Sequence, residues 1–269
     1  MGSDREEQYR GQTDSGVRFW SLQPKDRVRP LVLTTSVTRG VTHWIHLRGQ
    51  GLAAFRQAIL ARDFGICQFC GFRSGKYQEV LTQNGADWSA QSVFTACIFC
   101  TQCVMLEIVP SHRSGVLIRL PEMSQVALNR LMPALYTLRL NQGTSADKAR
   151  RLLTFFMGRR QGAVEQLTSD EPSFLAEKMS RCATAEELCE LRAKVEDIRL
   201  LPLDRKVIKE GGLEFNQFPQ ILAYWRSKGG PLGNLRYDGQ LPLLDSVLNG
   251  FGLWPPEESV MDEPPPPFR

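Results

Sequence analysis

Two cysteine pairs of the form Cys-x-x-Cys, Cys67-Gln-Phe-Cys70 and Cys97-Ile-Phe-Cys100, constrain this chain more than any other feature, with 26 residues lying between them. A turn of this form lets two thiolates about 3.5 to 4 Å apart grip one ion, and two such turns close a tetrahedral Zn–S₄ site with bonds of about 2.3 Å. Gly71, directly after Cys70, admits the positive φ that a sharp turn behind a metal requires. The expected ligands are therefore Cys67, Cys70, Cys97 and Cys100. If Cys97 lies near a helix N-terminus, Cys100 and Cys103 fall on successive turns and one of them suffices. Cys103 is expected as an additional packed thiol beside the site. A closed four-cysteine site leaves no coordination position for water or substrate, so a single Zn²⁺ here would be structural and would replace missing core.

The remaining composition agrees with that assignment. Seven cysteines are an odd number for a disulfide framework, and five of them crowd into residues 67–103, which in a reducing compartment points to metal chemistry. A length of 269 residues with 42% apolar content is enough to close a hydrophobic core. The balance of 33 Lys+Arg against 29 Asp+Glu gives a net charge of only +4, too little for a protein whose main work is phosphate neutralisation. Residues 49–120 hold six cations and four anions, so a Zn²⁺ with four thiolates brings that region to about neutral. No window approaches the roughly 18 consecutive apolar residues of a spanning helix. The polar start, Met1 to Gln12, does not read as a signal peptide. A cytoplasmic protein is expected.

Along the chain, residues 1–28 read as a flexible lead-in, with Val17, Phe19, Trp20 and Leu22 as candidate docking residues. The stretch from Arg29 to Arg48 has the β-branched and aromatic composition of a hairpin turning at Arg39-Gly40. Gly49 to Asp63 carries Leu52, Phe55, Ile59 and Leu60 at helical spacing. Gly115 to Leu120 has strand composition, and Pro121 opens a helical pattern through Leu138 that Pro133 is expected to kink. Further helices are expected over Ser145 to Arg160, opened by a Ser or Thr cap, over Pro172 to Ser180, and over Thr184 to Ile198. The last of these begins with the capping-box pair Thr184 and Glu187. Phe215 to Trp225 is expected to form an amphipathic helix. Gly229 to Gly252 is irregular, and the proline-rich end should be extended.

Other chemistry-bearing residues read as structural. His43 and His46 stand on opposite faces of the expected hairpin, and His112 sits in the loop Pro110 to Gly115 without an acidic partner nearby in sequence. Cys182 and Cys189 share a helix face as small buried thiols. Glu186, Glu187 and Glu190 suit a helix N-terminus. Arg150, Arg151, Arg159 and Arg160 form a solvated face, with a docking patch for an acidic partner as the alternative. Trp44, Trp88, Trp225 and Trp254 are spread over distant segments, for which core packing is the default.

The run Phe55-Arg-x-x-Ile-Leu-x-Arg-Asp63, followed by Cys67-x-x-Cys70-Gly71 and Thr95-Ala-Cys97-x-x-Cys100, resembles the zinc-stapled HNH endonucleases. Those enzymes place a catalytic histidine between the two cysteine pairs. Here Phe72 to Ala96 contains no histidine: Asn84-Gly85 occupies its region, and Thr101 follows Cys100 where a His or Asn often stands. A closer resemblance is to the DotN (IcmJ) family. It rests on Cys67-Gln-Phe-Cys-Gly-Phe72, Tyr77-Gln-Glu-Val80, Thr95-Ala-Cys-Ile-Phe-Cys-Thr-Gln-Cys103, Leu117-Ile-Arg-Leu-Pro-Glu122, Gln125-x-x-Leu-Asn129 and Asp197-Ile-Arg-Leu-Leu-Pro202, and on the helix ending near Trp225. The chain departs from that family in its longer N-terminal lead-in and its additional C-terminal residues.

The resemblance implies a zinc-bearing, HNH-like but non-nucleolytic subunit of the coupling complex in type IVB secretion, with a conjugation apparatus as the alternative host. The expected fold is α+β, a ββα-like Cys₄ zinc module with a small sheet plus a helical C-terminal half. The expected division is a lead-in over 1–28, an HNH-like zinc-binding module over 29–120, a helical region packed on it over 121–228, and a Gly/Pro-rich, partly disordered extension over 229–269. The implied role is a non-catalytic adaptor that binds the coupling ATPase and other coupling-complex proteins at the cytoplasmic face of the bacterial inner membrane. It would hold no nucleic acid stably and would not insert into the membrane. The alternatives are an HNH-type metal-dependent endonuclease, disfavoured by the missing histidine, and a zinc-organised DNA-binding module, disfavoured by the near-neutral charge.

Overall fold

Helix α1 (Gln50–Arg62) runs directly into the first cysteine pair, and strand β3 (Val93–Cys97) carries the first residue of the second. The computed structural model describes residues 29–36, 42–43, 50–82, 89, 92–233 and 241–251. The expected lead-in over 1–28, His46, the Asn84-Gly85 position, Trp44, Trp88, Trp254 and the proline-rich end lie outside the described residues.

A three-stranded antiparallel sheet is built from β1 (Thr42–His43), β2 (Gln78–Thr82) and β3, in that order. Val93-Phe-Thr-Ala-Cys97 is buried at every position, and its register sets Gln78 opposite Cys97 and Thr82 opposite Val93. The chain continues straight from β3 into α2 (Ile98–Val104), a short 3₁₀ turn over Leu106–Ile108 and α3 (Val109–His112). A β–β–α order thus follows the first cysteine pair. The hairpin expected over Arg29 to Arg48 is not formed among the described residues: β1 pairs with β2, and Pro30 to Thr35 is not a strand. The physical reason lies in the Thr34 backbone, whose N–H donates to Cys103 O and whose carbonyl accepts from Leu106 N–H. The segment is thereby committed to the end of α2.

Strand β4 (Gly115–Arg119) pairs antiparallel with β5 (Ile198–Pro202), Leu117 opposite Leu200. Between them run α4 (Gln125–Leu138), α5 (Thr144–Gly158), α6 (Arg160–Leu167), α7 (Pro172–Arg181) and α8 (Ala185–Lys194). Ser124, not Pro121, opens α4 by accepting the Ala127 N–H, and the helix continues across Pro133 without a break. Gly143 stands at the N-cap of α5 where a Ser or Thr was expected. The Thr184–Glu187 box is present: Thr184 Oγ1 accepts from Glu187 N–H, and the Glu187 carboxylate accepts from Ala183 N–H. Helix α8 ends at Lys194, short of the expected Ile198, because residues 198–202 are taken up by the ladder with β4.

The C-terminal half is therefore helical with strands in it. A second hairpin, β6 (Val207–Glu210) and β7 (Leu213–Asn216), turns at Gly211-Gly212, whose φ values of 58° and 84° suit glycine. Helix α9 (Phe218–Arg226) follows. Within the irregular segment expected over 229–252, Leu241–Gly250 forms helix α10. Its Leu248 is buried, its Asp245 pairs with the nearly buried Lys148 of α5, and the adjoining Phe251 packs on Phe155 and Phe156.

The apolar side chains form two large clusters, one on each face of the β4–β5 ladder. Val116, Ile118 and Leu201 enter the cluster that contains the cysteine pairs, with α4, α5 and α9. Leu117, Ile198 and Leu200 enter the other, with α6, α7, Leu33 and Cys103. Burial on both faces explains the unbroken apolar run of β4, since alternation marks only a half-buried strand. Phe72, Phe99, Tyr136, Phe218 and Trp225 interlock beside the cysteines, with Phe72–Trp225 ring centroids 5.4 Å apart and Tyr136–Phe218 centroids 5.3 Å apart. Trp225 is thus a core residue. Among the described residues, no helix is long and apolar enough to cross a membrane.

Candidate metal centre

The first cysteine turn is shaped by backbone bonds. Gly71 N–H donates to Cys67 O at 2.9 Å, Cys67 N–H donates to Phe72 O at 3.0 Å, and Gly71 sits at φ 76°, as its position requires. Two buried polar side chains fasten the turn to the sheet. Gln78 Nε2 donates to Gly65 O and Phe72 O, at 2.7 and 2.9 Å. Asp63 accepts from Arg62 Nε at 2.8 Å and from Thr95 N–H at 2.9 Å. Asp63 thereby fixes the end of α1 against β3 two residues before Cys97.

The second pair belongs to a strand end and a helix start. Cys97 caps α2, its Sγ accepting the Cys100 N–H at 3.4 Å. Thr101 is buried and gives its hydroxyl to Cys97 O at 3.0 Å. The sulfurs of Cys67, Cys70, Cys97 and Cys100 all lie within 4.8 Å of one another, and those of Cys70 and Cys97 are 3.6 Å apart. The edge of a Zn–S₄ tetrahedron is about 3.7 Å, so these four residues fit one thiophilic metal ion. All four are buried and free of disulfides.

Burial pushes the Cys97 and Cys100 thiols well above their ordinary pKa. Burial acts in the same sense on Cys67, but hydrogen bonds from Cys100, Cys70 and Cys97 outweigh it and hold its pKa well down. The neighbours thus favour a thiolate at Cys67, whereas ionising the buried Cys97 and Cys100 thiols calls for a nearby cation.

Helix α4 closes the centre from the other side. Asn129 Nδ2 donates to Cys100 Sγ at 3.3 Å and to Cys103 Sγ at 3.4 Å, and Arg130 Nε donates to Cys70 O. Cys103 stands outside the group of four, and burial pushes its thiol up to about 12. Gln78, Asp63, Asn129 and Arg130 had no role assigned from sequence. The available signal was Gln125 and Asn129, polar residues four apart on an otherwise apolar helix face.

The other candidates disperse. His43 pairs with Leu81 in the β1–β2 ladder. His112 is half-buried at the last position of α3, not in an exposed loop, because Val109 to His112 closes a helical turn before Arg113 adopts a left-handed conformation. Cys182 caps the end of α7 while Cys189 is exposed on α8, so the expected buried pair on one helix is not formed. Thr184 ends the intervening turn and starts a new helix between them. Three of the four arginines are engaged within the chain: Arg150 with Asp147, Arg159 with Glu122, and Arg160 with Asp170.

No family model matches the chain. It is similar to the type 4 apparatus protein DotN of Legionella pneumophila, with 34% identity over 165 residues that span 58% of this chain and 76% of that protein. An identity of that size over three quarters of the relative, in a chain that folds its two Cys-x-x-Cys pairs into one buried group of four sulfurs, makes this chain a member of the DotN family.

Proposed function

We propose that the protein is a non-catalytic, zinc-stabilised adaptor subunit of a bacterial type IVB-like secretion or conjugation coupling complex. The observation that carries this reading is the likeness to DotN in a chain whose four clustered cysteines can hold one ion. Cys67, Cys70, Cys97 and Cys100 would be the ligands, and Zn²⁺ would supply a rigid cross-link between the turn after α1 and the β3–α2 junction. The β2–β3–α2 order behind the first cysteine pair supports an HNH-like module over 29–120. The β4–β5 ladder and the shared aromatic cluster support a helical region over 121–228 that works as one body with it.

The partners in this reading are the coupling ATPase and other proteins of the coupling complex, which would hold the subunit at the cytoplasmic face of the inner membrane. Arg150, Arg159 and Arg160 each pair with a carboxylate of the same chain at the surface, which lowers the net positive charge that this face offers an acidic partner. The test is affinity capture of the full chain from its native bacterium, followed by mass spectrometry and repeated with residues 229–269 deleted. Recovery of an inner-membrane ATPase is expected. Capture of nucleic acid alone at moderate salt, or divalent-dependent cleavage of plasmid or single-stranded DNA by the purified protein, would overturn the reading.

A further inference from the structure

A chain of side-chain amides runs from the backbone of β5 into the sulfur cluster, and its polarity is fixed from one end. Leu200 N–H can only donate, so the atom facing it at 2.8 Å is Gln125 Oε1. Gln125 Nε2 is then a donor, to Leu200 O at 2.8 Å and to Asn129 Oδ1 at 2.9 Å. Asn129 Oδ1, being the acceptor, leaves Nδ2 facing Cys100 Sγ at 3.3 Å and Cys103 Sγ at 3.4 Å. Both amides are buried, Asn129 completely and Gln125 to 6% exposure, so bulk water does not reorient them. Neither sulfur can satisfy this geometry by donating; each receives an N–H.

We infer that Asn129 is a positioning residue of the cysteine centre, held by Gln125 so that its amide stabilises the Cys100 sulfur as an anionic ligand and holds the Cys103 sulfur beside it. This rests on the four-thiolate reading proposed above. A neutral amide suits the task because it supplies hydrogen bonds to thiolate without burying another full charge. Gln125 and Asn129 stand four residues apart on α4, which brings them together on one face. The Gln125 link to Leu200 ties the orientation of a metal ligand to a strand that itself carries no ligand.

The test uses the full-length protein loaded with Co²⁺, reading affinity by competition with a chromophoric chelator and the thiolate-to-cobalt charge-transfer band by absorption. Asn129→Leu keeps the number and branching of the side-chain atoms and removes the donor, and Asn129→Asp sets an acceptor against two sulfurs. Losing partners of this type costs about 10- to 100-fold in metal affinity, so the Leu variant should lie near the lower figure and the Asp variant near the upper. The charge-transfer band should shift in both. Gln125→Glu still accepts from Leu200 N–H but cannot donate to Asn129, and it should weaken Co²⁺ by about 10-fold. If the folded Asn129→Leu protein keeps wild-type affinity and band, the inference is overturned while the four-thiolate reading stands. If the wild type itself takes up no Co²⁺, that reading fails first and this one with it.

Discussion

The two faces of the β4–β5 ladder are covered by different materials. One carries aromatic rings, four clustered sulfurs and a buried amide relay; the other carries Leu33, Leu167, Leu175, Met179 and their aliphatic neighbours, with Cys103 as its one thiol. The aliphatic side is stabilised in proportion to the area removed from water, at roughly 25 cal/mol per Å² of apolar surface, and each side chain contributes its share. The cysteine side depends on a few atoms with no substitute. One cover fails gradually, the other all at once.

Loss of the ion proposed for the four cysteines should therefore be the largest perturbation. Cys67→Ser, or treatment with a strong chelator, is expected to abolish metal uptake and to cost about 4 kcal/mol or more of stability. Amide exchange should rise first over residues 63–104 and last over 172–200, and a uniform rise would break the contrast between the faces. Leu117→Ala, on the aliphatic side, should cost about 2–5 kcal/mol in denaturant unfolding yet leave metal stoichiometry at one per chain. Metal lost together with Leu117 would mean that the faces are one cooperative unit.

Smaller changes sharpen the same contrast. Thr184→Ala removes the cap of α8, a helix with no fully buried residue that meets the aliphatic cluster only at its rim through Leu188 and Leu191, and should cost about 1 kcal/mol by thermal melting. The smallest effect belongs to Glu214 on β7, exposed and held below its ordinary pKa first by its hydrogen bond to Lys209 and then by charge attraction to the same group. A carboxylate with a lowered folded pKa contributes stability that is present at neutral pH and is lost as pH falls through the acid range. Protection of the β6–β7 amides, taken relative to their intrinsic exchange rates, should fall slightly on acidification, and Glu214→Gln should remove that loss.

The sulfur cluster was legible because its signal is a spacing, and spacing survives translation into any fold. Helices α1, α4, α7 and α9 were legible because their apolar periods match their burial. Segments decided by distant partners were not. Pro30 to Thr35 has strand composition, but its backbone is claimed by Cys103 and Leu106, far along the chain. The helix expected over Thr184 to Ile198 stops earlier because Ile198, with the four residues after it, is captured by β4. No strand is expected in the charged stretch around Gly211-Gly212, where β6 and β7 form by pairing with each other. Helix α10 is short, contains Pro242 and follows glycines, so its docking on α5 through Asp245 and Leu248 is a tertiary effect. Asn129 was hidden by its setting, because two polar residues, Gln125 and Asn129, on an otherwise apolar helix face do not reveal what they will meet.

Being covered on both faces leaves β4 and β5 with a registration problem. Side-chain alternation specifies strand register when one face is wet, because a slip by one residue then exchanges core for solvent. Here Val116, Leu117 and Ile118, like Leu200 and Leu201, would be buried on either side, so alternation discriminates weakly. What counts positions instead is the outer edge: Gln125 grips both backbone groups of Leu200, and Asp170 O accepts the Leu117 N–H across the ladder. These edge contacts act as a gauge, so the strands can close a loop of some eighty residues and still arrive in one alignment.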